Sequence, residues 1–122
     1  MQPPYFTEQQ LLSTEPRKAK EFYQRLFGWK MEEMEIPGFG YRVEIKTEQG
    51  PSGAIMAAPG AQPSAWFPYV SVDDLAATLA KIRDLGGKVV VEPREVPGEG
   101  TLAAAVDPTG ALFKLWEPKR KA

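Results

Sequence analysis

The sequence predicts an α+β fold of two tandem βαβββ modules. Three observations carry that prediction: a Pro-Gly-x-Gly segment that occurs twice, the same order of strand and helix patterns around each copy, and a proline-rich break between them. Pro37-Gly38-Phe39-Gly40 returns as Pro97-Gly98-Glu99-Gly100, 60 residues later in a chain of 122. Half a chain of this length is too small to bury a core alone, so the halves are expected to pack as a pair of curved half-sheets that enclose a cavity. A cavity makes a small-molecule site the default expectation.

Each element follows from local pattern. A strand over Glu8–Ser13 leads to Thr14-Glu15-Pro16, an acidic cap with proline in the first turn. Ala19, Phe22, Tyr23 and Leu26 then fall at i, i+3, i+4 and i+7, one buried helical stripe, until Gly28 stops the helix. Strands follow at Trp29–Glu35, at Tyr41–Ile45 with clean alternation, and at Gly53–Ala57. The second half repeats the order. Trp66–Val72 is a strand, Asp73-Asp74 opens a helix with the stripe Leu75, Leu79, Ile82 and Leu85, Gly86-Gly87 ends it, and strands follow at Lys88–Glu92, Thr101–Val106 and Ala111–Trp116. Turn formers without periodicity fill the interval between the halves. The chain is therefore one domain, 1–122, with module 1 at 5–58, a linker at 59–64, module 2 at 65–118 and a basic tail at 119–122.

Composition excludes several function classes. With 43% hydrophobic and 25% charged residues the chain has the makeup of a folded soluble domain, and a net charge of −1 gives no footprint for nucleic acid. No apolar run approaches the ~20 residues needed to span a bilayer, and Met1-Gln2-Pro3-Pro4 does not open a signal segment, so no membrane partner and a cytoplasmic location are expected. Zero cysteine removes disulfides and thiolate chemistry. Zero histidine removes the commonest metal ligand and the commonest general base. The two Pro-Gly-x-Gly segments read as hairpin turns, since no Gly-Lys-Ser or Gly-Lys-Thr run and no helix follows either of them.

The run Phe22-Tyr23-Gln24-Arg25-Leu26-Phe27-Gly28-Trp29 and the ending Asp107-Pro108-Thr109-Gly110, in register with the repeat, resemble the vicinal-oxygen-chelate superfamily of glyoxalases, bleomycin-resistance proteins and extradiol dioxygenases. The resemblance covers essentially the whole chain and implies a curved, incomplete eight-stranded barrel, glyoxalase-like, commonly associated as a homodimer. It also implies four metal-ligand positions, and these are depleted. The first falls on Glu8, the second on Phe67, the closing-strand position on Lys114, and alignment of Gly53 with Gly110 puts the remaining one on Ala57. One possible donor of four survives, so no metal and no other cofactor is expected.

Alternation along the strands gives the expected lining. Glu8, Gln10 and Leu12 share a face, as do Phe67, Tyr69 and Ser71, and Leu112, Lys114 and Trp116. Ligand-binding candidates are Glu8, Gln10, Ile55, Phe67, Tyr69, Lys114 and Trp116, a mixed surface suited to a flat, partly polar molecule. Glu8 and Lys114 are expected to pair where the resemblance places the metal, within one chain or between two. Phe22 and Tyr23 are expected in the core, Trp29 in module packing, and Glu32-Glu33-Met34-Glu35 on a solvated strand end. Trp66 fits a lining, an edge or a dimer contact. Two functions fit these residues: a metal-independent protein that binds a small aromatic or amphipathic molecule, or a metal-free isomerase or lyase with Glu8 as base, Lys114 as electrostatic or acid partner and Tyr69 as proton donor. A raised carboxylate pKa facing an empty pocket would distinguish the second.

Overall fold

A computed structural model describes residues 3–119; Met1, Gln2 and the Arg120-Lys121-Ala122 part of the expected basic tail lie outside them. The elements run β1 (Tyr5–Ser13), α1 (Pro16–Phe27), β2 (Lys30–Ile36), β3 (Gly40–Lys46), β4 (Ser52–Ala57), β5 (Ala65–Ser71), α2 (Leu75–Asp84), β6 (Lys88–Val96), β7 (Gly100–Val106) and β8 (Leu112–Pro118). This is the predicted α+β order of two βαβββ repeats. Two compact units divide the chain: Glu8–Phe67, and Pro68 onward together with residues up to Thr7. No helix among the described residues is long and apolar enough to cross a membrane.

In the first unit the strand order is β2-β3-β4-β1, with β1 parallel to β4 and the other pairs antiparallel. Leu11, Val43, Ile45 and Ile55 form its core on the helix side, with Ala19, Tyr23, Trp29, Met31 and Tyr41 packed against them. Ser13 is buried on that side and its Oγ accepts from the Glu15 N–H at 3.1 Å. The expected acidic cap is thereby corrected: Glu15 occupies the cap position but its side chain makes no capping bond, and its backbone amide is engaged by Ser13. The expected buried stripe also needs correction. Phe22 is 57% and Leu26 56% exposed, since α1 leans on the sheet through Ala19 and Tyr23, and Phe22 and Leu26 follow one flank of that contact line.

The second unit repeats the order as β5-β8-β7-β6, with β5 parallel to β8. Val72, Leu75, Leu79, Ala103, Ala105 and Leu115 make its core, joined by Val70, Ile82, Val89 and Phe113. Leu85, expected in the α2 stripe, is 68% exposed at the C-cap, where the helix has already ended. At the other end of α2, Asp74 Oδ1 accepts from the Ala77 N–H at 3.0 Å, and the Leu75 N–H donates to Glu117 Oε1 of β8 at 2.8 Å. One of the free donors of the first turn is thus satisfied from the sheet.

The repeated Pro-Gly segments form the hairpin turns that join β2 to β3 and β6 to β7. Phe39 N–H donates to the Ile36 carbonyl and Glu99 N–H to the Val96 carbonyl, both at 2.9 Å, and Gly38 and Gly98 have φ of 81° and 80°. Proline second and a positive-φ glycine third are the requirements of a type II turn.

The turn before β8 is held by Asp107. Its Oδ1 accepts from Thr109 Oγ1 at 2.7 Å, Thr109 N–H at 2.8 Å and Ala111 N–H at 3.0 Å. The Thr109 hydroxyl first, then the backbone donors of Ala111 and Thr109, hold the carboxyl below the ordinary aspartate range. A carboxylate with a lowered folded-state pKa stabilises above its unfolded pKa, and the contribution disappears as pH falls through the folded value. Thermal melts of the wild type and Asp107→Asn from pH 2 to 7 are therefore expected to differ most above about pH 4 and to converge in stronger acid. A gap that widens in acid would refute this account of the turn.

Candidate functional site

The face of each sheet away from its helix carries the polar groups that the cores do not use. In the first unit, strand alternation and register place Glu8, Gln10 and Leu12 of β1, Ala54 and Met56 of β4, and Arg42 and Glu44 of β3 on that face. Arg42 Nη2 donates to Glu8 Oε1 at 2.7 Å, with side chains only 20% and 16% exposed. Gln10 is buried beside it, and its Nε2 lies 3.5 Å from Met56 Sδ. Register explains the reach: Arg42 is opposite Met56, Glu8 is opposite Ser52, and the small residue Ala54 lies between them along β4.

In the second unit the equivalent face holds Tyr69, Ser71, Leu102, Ala104, Lys114 and Trp116. Tyr69 lies opposite Lys114 and Ser71 opposite Trp116 across β5 and β8, while Leu102 is opposite Trp116 on β7. Lys114 Nζ stands 5.6 Å from the Tyr69 ring centroid, a cation–π distance. Trp116 lies over Gly100, where an added Cβ would meet Cζ2 of the indole at 2.6 Å and the Glu117 carbonyl oxygen. Tyr69 and Ser71 are buried and Trp116 is half-buried.

The structure thus groups Glu8 with Gln10, and Tyr69 with Lys114 and Trp116. Phe67 is half-buried at the end of the first unit, on the Tyr69 side of β5 by alternation. Ile55 is a correction. It is 0% exposed and packed with Leu11, Val43 and Ile45 under α1, because its register partner is Leu11 and not Gln10. The same parity corrects Ala57: Tyr69 pairs with Lys114 as Gln10 pairs with Ala54, so Ala54 is the first-unit counterpart of Lys114. Sequence reasoning missed Arg42. Its signal was the alternation over Tyr41–Ile45, which puts Arg42 and Glu44 opposite the apolar core residues.

Four positions fit a metal poorly. A phenyl ring at Phe67 and a methyl at Ala54 offer no donor, Lys114 brings a cation, and the Glu8 carboxylate is already engaged by Arg42. Among the described residues no three His, Cys, Asp or Glu gather into a group that could hold a metal ion. The paired carboxylates of β2 belong elsewhere: Glu33 accepts from Tyr41 Oη at 3.0 Å and lies 3.2 Å from Lys20 Nζ, which with Tyr41 holds its carboxyl below the usual range. Burial, then the bond to Glu33, pushes the Tyr41 phenol up.

A second feature of the first unit lies on its helix side. Gln9, Tyr23, Phe27, Trp29 and Trp66 line a groove of about 360 Å³. Trp66 Nε1 donates to Tyr23 Oη at 3.1 Å with the rings edge to face, and Phe27 and Trp29 have centroids 4.7 Å apart. Trp29 is in module packing as expected, and it also borders this groove.

Two βαβββ repeats with parallel β1–β4 and β5–β8 pairs, and polar residues on the faces away from the helices, define a glyoxalase-like domain. The chain belongs to the Glyoxalase/Bleomycin resistance protein/Dioxygenase superfamily, whose sequence model matches residues 7–115. Among curated relatives, CFP32 of Mycobacterium bovis, a protein assigned as a glyoxylase, is 34% identical over 115 residues, 90% of this chain and 44% of that protein. The anthracycline biosynthesis protein DnrV of Streptomyces peucetius is 29% identical over 117 residues, 80% of this chain and 41% of its own length. The chain thus spans less than half the length of the curated relatives it matches. Among solved structures, protein BH1468 from Bacillus halodurans has a TM-score of 0.76 at 12% identity, with 99% of both chains covered. Methylmalonyl-CoA epimerase from Mycobacterium tuberculosis has 0.72 at 17% identity, covering 94% of this chain and 88% of that one. These two likenesses concern the fold.

Proposed function

We propose that this chain is a metal-independent member of the superfamily that binds a small, flat, partly polar molecule, on its own or as a homodimer. One observation carries the reading: Glu8, the one carboxylate at the four ligand positions, is bound by Arg42, while the other three hold Phe67, Lys114 and Ala54. The sheet faces supply what such a ligand needs. In the second unit Tyr69 and Trp116 offer ring surface, Ser71 a hydrogen bond and Lys114 charge to a carbonyl or phenolate oxygen; the face of the first unit, taken by itself, offers the Gln10 amide and the Arg42 guanidinium. The relationship to an anthracycline biosynthesis protein supports a fused-ring, oxygen-rich ligand. The Glu8–Arg42 bond disfavours the isomerase or lyase reading, because one oxygen of the carboxylate that would act as base already accepts from a guanidinium.

Titration with an anthracycline such as doxorubicin tests the proposal, alongside calorimetric titration with Zn²⁺, Mn²⁺ and Ni²⁺. Saturable quenching of tryptophan fluorescence is expected, with a melting temperature raised by about 10 °C at roughly 100 times Kd. Added chelator should leave both unchanged. Stoichiometric binding of any of the three metals, or an anthracycline response that requires one, would refute metal independence.

A further inference from the structure

The α1 side of the first unit exposes more apolar surface than an isolated domain needs. Phe22, Leu26 and Phe27 are each more than half exposed and Trp66 is 39% exposed. The aromatic rings form one patch, with Leu26 one turn beyond Phe22 on α1: Phe22 meets Tyr23 edge to face at 5.0 Å, and Tyr23 meets Phe27 and Trp66 at 6.4 and 5.4 Å. We propose that this patch is a self-complementary interface, on which a second copy of the chain docks with its α1 antiparallel to the first. The inference rests on the homodimer reading above and supplies its surface.

Four arguments select a second copy. The four exposed side chains present on the order of 400 Å² of apolar surface, about half of the ~800 Å² that each partner buries in a standard interface, and the flanks of α1 extend it. The patch also has both a projection and a recess: Phe22 stands out from α1, and the groove lined by Gln9, Tyr23, Phe27, Trp29 and Trp66 can receive a side chain. A two-fold axis lets each copy insert into the other, which is the condition for an isologous contact. The rim charges match as well. Glu21 and Arg25 are both exposed one turn apart on α1, so antiparallel helices bring Glu21 toward the partner's Arg25 and Arg25 toward the partner's Glu21. More than half of each curated relative lies outside the match, enough for a second domain of this size in the same polypeptide.

Sedimentation equilibrium and light scattering on the 122-residue chain test this. The wild type is expected at twice the 13.5 kDa chain mass at about 100 µM. Phe22→Glu with Leu26→Glu is expected at the monomer mass with an unchanged far-UV spectrum, since neither side chain belongs to the core. Arg25→Glu alone should weaken the dimer at least about tenfold, and Glu21→Arg with Arg25→Glu should restore it to within about threefold of the wild type. A wild-type dimer that survives the double glutamate substitution would overturn this face while leaving the homodimer intact. A monomeric wild type would overturn both, and its co-sedimentation with phosphatidylglycerol vesicles would assign the patch to a lipid surface instead.

Discussion

Gly100→Ala is expected to destabilise the protein by about 3 kcal/mol, lowering the melting temperature by roughly 10 °C and loosening ligand binding with it. The cause is steric. Gly100 is buried at the start of β7 opposite Pro118, with Trp116 folded over it; a methyl there would meet the indole at 2.6 Å and press on the Glu117 carbonyl oxygen. An indole alone could swing away, but the carbonyl belongs to the β8 backbone, so relief requires the β7–β8 ladder to open at its end. Two assemblies use that end: the Glu117 carboxylate accepts from the Leu75 N–H in the first turn of α2, and Trp116 presents its ring on the face with Tyr69 and Lys114. Urea unfolding with near-UV circular dichroism, which reports the tryptophans, checks the prediction. The same substitution at Gly98, where an added Cβ meets nothing within 4 Å, should act only through its positive φ and leave the tryptophan spectrum as it was. Equal stability for wild type and Gly100→Ala would mean that Trp116 does not pack there in solution.

How far the sequence could be read depended on how local each cause was. Every strand and both helices were legible because periodicity, turn glycines and the duplicated Pro-Gly segment act within a few residues, and the second copy fixed the order of the first. Burial on α1 was not. A period of 3.6 marks an apolar arc, but which third of the arc meets the sheet depends on the helix position, and Ala19 and Tyr23 took the contact that Phe22 and Leu26 shared in the pattern. Ile55 was misplaced for a related reason: Gly53-Ala54-Ile55-Met56-Ala57 has no polar alternation to define its faces, so only pairing with Leu11 and Val43 decides. Arg42 was hidden because it reaches Glu8 through two strand pairings and 34 residues of sequence. Tyr69, Lys114 and Trp116, by contrast, fell where strand parity put them, on one face.

Arg42→Met is expected to cost about 2 kcal/mol, more than its side chain would at the surface. An exposed ion pair contributes ~0–1 kcal/mol, while removing one partner of a fully buried pair costs about 3–5 kcal/mol; side chains 20% and 16% exposed lie between these cases. Most of the loss comes from the partner left behind, since Glu8 would keep a carboxylate on a largely covered face beside Gln10 with its 2.7 Å donor gone. Glu8→Gln in the Arg42→Met background should therefore recover part of the stability, and a double-mutant cycle by urea unfolding should yield a coupling of about 1–2 kcal/mol. Ligand titration separates structure from recognition. If Arg42 also faces the ligand, Arg42→Met weakens binding at least about tenfold and the Glu8→Gln background does not restore it, because the lost donor is the guanidinium and not the balance of charge. If stability and binding recover together, Arg42 serves only to neutralise Glu8, and a neutral Gln–Met pair does so as well. A cycle with no coupling would remove the ion pair from the account of this face, and would return Glu8 to the role of an available carboxylate.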